Sequence, residues 1–174
     1  MTSADLNAEL LAIAQAIADP EHPVKRDVAA WAAEHLAQED RIGADWELRF
    51  AADDWKRCAD HGIHGVRVPA ELGGSGADWA TTLLTLEGLG QGCRDNGLAF
   101  AIGSQILSTQ ETIVRFGTPE QQERWIPPLI AGEAYGAFAM TEPDVGSDAY
   151  RMSTRAERRS DGSYVLNGHK AYIT

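Results

Sequence analysis

The sequence predicts a mainly α chain, a helical domain over residues 1–133 followed by the first strands of an incomplete β domain over 134–174. Three observations carry that reading. Apolar residues recur every three or four positions through most of the first 130 residues, the spacing that gathers them on one helix face. From about residue 134 the pattern changes to short apolar and alternating runs parted by an Asp-Gly turn. The chain also stops on Ala171-Tyr172-Ile173-Thr174, a strand pattern with no turn after it. Such a strand leaves an unpaired edge, so a truncated β domain is expected.

Each element follows in order. Leu6, Leu10, Ile13 and Ile17 mark an amphipathic helix over 4–18, ended by Asp19-Pro20. Val28, Trp31, Ala32 and His35 share one side of a second, from about Val24 to Gln38. A third runs from Phe50 to His61 and carries Trp55 and Cys58. Gly62 to Asp78 contains six glycines or prolines and reads as an ordered loop. Helix returns over Trp79 to Gly90 with Leu83, Leu86 and Leu89 as its apolar side, and a long, largely buried helix covers about Leu98 to Phe116.

Thr118-Pro119-Glu120-Gln121 has the composition of a helix start. Thr118 suits the N-cap, Pro119 the first helical position, and Gln121 the reciprocal bond of a capping box. Pro127 and Pro128 are expected to stop or kink that helix one to two turns later. Tyr135 to Met140 suits a short buried strand. Arg151 to Glu157 and Ser163 to Ile173 read as two further strands, joined by a tight hairpin turn at Ser160-Asp161-Gly162.

Composition excludes several functions. The net charge is −11, and residues 150–174 hold five Lys/Arg against two Asp/Glu, so residues 1–149 carry −14. An acidic body lacks the clustered cations that nucleic-acid phosphates require. The arginine-rich end either faces a phosphate-bearing ligand or is a solvated face, and charge alone does not choose. Cys58 and Cys93 have no metal-type spacing and read as buried thiols of a reduced, cytoplasmic protein. His22, His35, His61, His64 and His169 have no ligand spacing, so no metal is expected. No apolar run approaches the roughly 20 residues of a membrane span, and Asp5 and Glu9 stand where a targeting peptide would be basic.

Chemistry concentrates in Phe138-Ala139-Met140-Thr141-Glu142-Pro143-Asp144-Val145-Gly146-Ser147-Asp148. An apolar run ends at Thr141 and enters a loop stiffened by Pro143 and loosened by Gly146. A flat heteroaromatic cofactor needs an apolar wall and a few fixed hydrogen bonds, which Phe138, Met140 and the Thr141 hydroxyl are suited to supply. Gly146 permits close backbone approach to a phosphate, and Ser147 offers a hydroxyl and an amide. Glu142 and Asp148 read as acceptors for loop amides or an arginine rather than as catalysts. By pattern alone, an ordinary strand-to-loop turn fits equally well.

The string Met140 to Asp148 resembles the signature of the acyl-CoA dehydrogenase family. Three more stretches resemble that family in order and spacing: Gly62 to Pro69 with Leu72-Gly73-Gly74, Phe116 to Gln122 running on to Ala131-Gly132-Glu133, and Leu166 to Thr174. The resemblance covers the chain from about residue 25. It implies an N-terminal helical domain, a middle β-barrel and a C-terminal four-helix bundle, the last being absent here. It implies FAD as cofactor, an acyl-CoA or acyl-carrier-protein thioester as substrate, an electron-transfer flavoprotein as acceptor and a homotetramer when full length.

By motif position the resemblance places Phe138, Met140 and Thr141 on the flavin ring, with Thr141 at its polar edge. It places Gly146 and Ser147 by cofactor and thioester, Ser147 also touching substrate, and makes Tyr172, Ile173 and Thr174 the second flavin wall. Tyr172 stands where the family usually has tryptophan. The family's glutamate base belongs to the C-terminal bundle, so no catalytic residue is assigned here and this fragment alone is expected to be inactive. Neither Glu133 nor Glu142 is promoted to that post. Phe100 falls on the helix that lines the far end of the acyl pocket, which predicts a short or branched acyl group unless Phe100 packs into the helical core. The alternatives are a flavin oxidase or monooxygenase of the same architecture, or a non-catalytic docking module.

Overall fold

The computed structural model describes residues 3–36 and 41–173. Gln38, the expected end of the second helix, and Thr174, an expected flavin contact, lie outside them. The chain divides into two units, Met1–Gly136 and Ala137–Thr174.

The first unit is helical. α1 (Ser3–Ala18) and α2 (Pro23–His35) are followed by a short α3 (Arg41–Trp46) and by α4 (Ala52–Asp60). The sequence reading missed α3, a six-residue helix too short to show a period, with Ile42 and Trp46 exposed. Two single 3₁₀ turns, Ile63–Gly65 and Ala70–Leu72, give order to the glycine-rich stretch before α5 (Trp79–Gly92). There the Arg67 guanidinium lies over the Trp79 ring, 4.5 Å from its centroid, and donates to Ala77 O at 3.0 Å.

The pairing of α2 with α5 shows why the apolar side of α5 was misjudged. Thr82, Leu84, Thr85, Gly88 and Leu89 are buried, whereas Leu83 and Leu86 are only half-buried. The contact with α2 is made by small residues: a Cβ at Gly88 would meet Lys25 O at 2.5 Å, and one at Gly92 would meet Ala29 O at 2.1 Å. A leucine count cannot see a face that works by letting two backbones approach. Lys25 is buried at the same contact, bonded to Ile17 O at 2.8 Å and paired with Glu87 at 3.0 Å, so its charge is met where it is desolvated.

The core gathers Ala32 and Leu36, Trp55 and Cys58 of α4, Ile63, Val66, Leu89, Cys93, Leu98, Ile102 and Ile106. Both cysteines are buried thiols, and burial pushes that of Cys58 up to about 12. The long helix expected from Leu98 is one run in three parts: α6 (Asn96–Ser104), a π-helical stretch (Gln105–Gln110) and α7 (Glu111–Phe116). Asp95 caps its start by accepting from Leu98 N at 2.9 Å. It is not largely buried. Leu98, Ile102 and Ile106 form a buried stripe, but Phe100 is 64% and Phe116 81% exposed.

The capping box of α8 (Pro119–Ile130) forms as the sequence predicts: Gln121 N donates to Thr118 Oγ1 and Thr118 N to Gln121 Oε1. The two prolines do not stop it. They sit in the last turns, and the carbonyls they leave without a helical donor are those of Glu123 and Arg124, both exposed residues that water can serve.

In the second unit, β1 (Arg155–Arg158) pairs antiparallel with β2 (Tyr164–Asn167), with Arg155 opposite Asn167 and Arg158 opposite Tyr164. Both strands are shorter than predicted, but the tight turn forms at Ser160-Asp161-Gly162 as expected, with Gly162 N bonded to Arg159 O at 3.1 Å. Arg159 N bonds Ser163 O at 2.8 Å, Asp161 Oδ1 accepts from Ser163 N at 2.9 Å, and Gly162 takes φ +86°. Tyr135 to Met140 forms neither a strand nor a buried run; Tyr135, Phe138 and Met140 are exposed. Among the described residues no helix is long and apolar enough to cross a membrane.

Candidate functional site

The signature segment is organised around one carboxylate. Pro143 and Asp144 fill the corner of a reversal in which Glu142 N bonds Val145 O at 2.9 Å and Val145 N bonds Glu142 O at 3.1 Å. That reversal turns the Glu142 side chain inward, to 4% exposure. Its Oε2 accepts from Ser153 N and Ser153 Oγ, both at 2.7 Å, and its Oε1 from Thr154 N at 2.9 Å. Lys170 Nζ completes the set at 3.1 Å.

Donors from Thr154 and Ser153 hold the Glu142 carboxyl well below the usual carboxylate range. A group so acidic, with its oxygens occupied, cannot take a proton near neutral pH. The sequence reading of Glu142 as an acceptor of loop amides holds, although its cation is Lys170 and not an arginine. Ser153, Thr154 and Lys170 were missed as members of the site. Lys170 lies in a motif singled out for other reasons, while Ser153 and Thr154 carry no signal before the fold is known.

Lys170 also donates to Met140 O at 2.8 Å, and Ala171 N donates to Thr141 O at 3.0 Å. These bonds set Met140-Thr141 beside Lys170-Ala171, so the two stretches expected to supply flavin walls are neighbours along one edge. The apolar side chains there stand open: Phe138 is 49%, Met140 40%, Ile173 38% and Tyr172 93% exposed. Tyr172 adopts φ +56°, a left-handed conformation that a bulky aromatic seldom takes without an imposed constraint. Thr141 is half-buried.

Gly146 and Ser147 are exposed just past the reversal, and a Cβ at Gly146 would meet nothing within 4 Å. Among the described residues nothing therefore calls for glycine at 146. Phe100 projects from α6 of the helical unit at 64% exposure. Among the described residues no His, Cys, Asp or Glu cluster is arranged to hold a metal ion.

Residues 19–133 match the profile of the acyl-CoA dehydrogenase N-terminal domain, and residues 137–174 that of the acyl-CoA dehydrogenase middle domain. The chain belongs to the acyl-CoA dehydrogenase family.

Among curated relatives, an L-prolyl-[peptidyl-carrier protein] dehydrogenase of Pseudomonas fluorescens is 37% identical over 145 residues, covering 83% of this chain and 37% of the relative. The mitochondrial isovaleryl-CoA dehydrogenase of Bos taurus is 37% identical over 152 residues, covering 87% and 35%. Among solved structures, the prolyl acyl carrier protein oxidase AnaB superposes with a TM-score of 0.80 at 40% identity, covering 86% of this chain and 39% of that one. This chain thus spans little more than a third of the length of these family members. Further solved members are complexes with FAD, the cofactor of the family.

Proposed function

We propose that this chain contributes the flavin edge of an FAD-dependent enzyme that removes hydrogens from Cα and Cβ of an acyl thioester. The observation that carries this reading is the Glu142–Lys170 clasp, which sets Met140-Thr141 alongside Ala171-Tyr172 with an open apolar face above them. The residues fit the group: exposed Phe138, Met140, Tyr172 and Ile173 supply apolar surface, and Thr141 supplies a hydroxyl beside it. Thr174 adjoins them in sequence. Gly146 and Ser147 line the approach, where a bare Cα leaves room for a ligand. FAD, when bound, supplies the two-electron acceptor for the hydrogens that leave the substrate.

The proton at Cα needs a carboxylate base near its working pH, and Glu142 is unsuited to that task. On the strength of family membership the base is assigned outside these 174 residues, which by themselves are expected to be inactive. An electron-transfer flavoprotein as acceptor, a homotetramer and a cytoplasmic location complete the proposal on the strength of family membership.

A second reading concerns the thioester. The 40% identity to a prolyl-carrier-protein oxidase favours an amino-acid substrate on a carrier protein over a CoA ester, and oxygen over a protein acceptor. The test is anaerobic mixing of the full-length, FAD-loaded protein with butyryl-CoA, isovaleryl-CoA or a prolyl-carrier-protein thioester. Loss of flavin absorbance with one of them supports the reaction, and none with any of them overturns it. Oxygen uptake without an added acceptor separates oxidase from dehydrogenase. Thr141→Val should slow flavin reduction by the worth of one polar contact, about 0.5–1.5 kcal/mol, with substrate binding less affected. An unchanged rate removes Thr141 from the site.

A further inference from the structure

The π-helical stretch has a purpose that the flavin reading does not use. Gln105 opens it with its side chain fully buried. Its Nε2 lies 3.2 Å from Leu129 O and 3.3 Å from His64 Nδ1, and its Oε1 lies 2.8 Å from Gly136 N. The orientation of the amide is determined. Leu129 O only accepts and Gly136 N–H only donates, so nitrogen must face the first and oxygen the second. The second N–H then points at His64 Nδ1, which must accept, leaving the His64 proton on Nε2.

Gly136 is gripped as well as bonded. A Cβ added there would meet Thr109 Cγ2 at 2.7 Å and Leu129 Cδ2 at 3.2 Å. Thr109 belongs to the same π-helical stretch, whose wider turn displaces these side chains from a regular helical register. Gly136 is also the last residue of the helical unit, and the candidate flavin segment starts two residues later at Phe138. One buried amide and two close contacts therefore fix the point at which the chain leaves the helices.

We propose that Gln105 is a positioning residue that latches Gly136 and so restrains the backbone that leads into the candidate flavin segment. The consequence for the site rests on the flavin reading; the latch itself does not.

The test uses the full-length, FAD-loaded protein and two readouts. Gln105→Met matches the length of the side chain and removes every bond. Amide exchange at Gly136 and through residues 137–141 should quicken up to about tenfold, with α2 and α5 unchanged. Gln105→Glu keeps an acceptor for the Gly136 N–H but loses the donors to Leu129 O and His64 Nδ1, and should retain part of the protection. The rate of flavin reduction by the active thioester should fall in Gln105→Met, with KM little altered, and recover in part in Gln105→Glu. Should Gln105→Met fail to fold, Gly136→Ala tests the same grip, and Thr109→Ser, which removes the clashing methyl, should restore it.

Exchange that quickens equally across α2, α5 and 137–141 would reduce Gln105 to core packing and overturn the proposal. Lost protection at Gly136 with unchanged flavin reduction would overturn the positioning role. If no thioester reduces the wild-type flavin, the functional reading fails while the exchange pattern still decides the latch.

Discussion

The backbone N–H of Ala171 donates to the carbonyl of Thr141 at 3.0 Å, and this bond makes neighbours of two motifs far apart in sequence. It does not act alone. One residue earlier, Lys170 reaches Met140 O at 2.8 Å and Glu142 Oε1 at 3.1 Å, so a half-buried ion pair backs an exposed edge. The rigid side faces inward and the apolar side outward, the arrangement suited to receiving a flat ligand.

Lys170→Met therefore makes a specific prediction. The substitution preserves the stem and removes the charge, leaving Glu142 with amide and hydroxyl donors but no cation. Exchange at the Ala171 amide should quicken by about tenfold, the worth of one charge-assisted contact. FAD affinity of the full-length protein should fall in parallel. Unchanged exchange would mean that the Thr141–Ala171 bond stands without the clasp.

The α8 cap gives a second, independent prediction. Thr118→Ala removes the acceptor for Gln121 N and leaves the reciprocal bond unsupported. The loss should be about 1 kcal/mol of stability for the helical unit, read as a lower denaturant midpoint at unchanged slope. Thr118→Asn, which keeps a capping oxygen, should recover most of it.

What the sequence revealed, and what it hid, follows from the range of each interaction. The Thr118–Gln121 box was legible because its partners lie within one turn. Cys58 was expected to be a buried thiol and is 0% exposed. The burial of α5 was misread because its contact face includes Gly88 and Gly92, whose role depends on what α2 brings against them. The expected buried strand over Tyr135 to Met140 failed for a related reason. Apolar composition suits a ligand wall as well as a core, and periodicity cannot separate the two. The π-helical stretch was invisible because Gln105 acquires its meaning only from His64, Leu129 and Gly136, all remote in sequence.

His64 predicts an acid sensitivity of the helical unit. Its ring is fully buried, edge-on to Trp55 at 4.4 Å, and burial lowers its pKa from 6.5 to about 4. The unfolded chain thus binds a proton between those values that the folded chain refuses. The contribution is complete above pH 6.5, declines as pH falls toward 4 and is exhausted below it, a loss on the order of 3 kcal/mol. Denaturant midpoints at pH 7 and pH 5 should show the decline, and His64→Gln should flatten it. A midpoint equally pH-dependent in the variant would assign the effect to other groups.

Phe100 allows a test of substrate size that stability cannot confound. At 64% exposure its ring makes few core contacts, so Phe100→Ala should change stability within about 0.5 kcal/mol. If the ring closes the far end of the acyl pocket in the full-length enzyme, its removal admits longer chains. Each methylene newly accommodated is worth about 0.8 kcal/mol, close to fourfold in kcat/KM. Preference should move from short or branched acyl groups toward straight chains several carbons longer, with the rate on the short substrate little changed. A fixed preference at unchanged stability would place Phe100 away from the substrate.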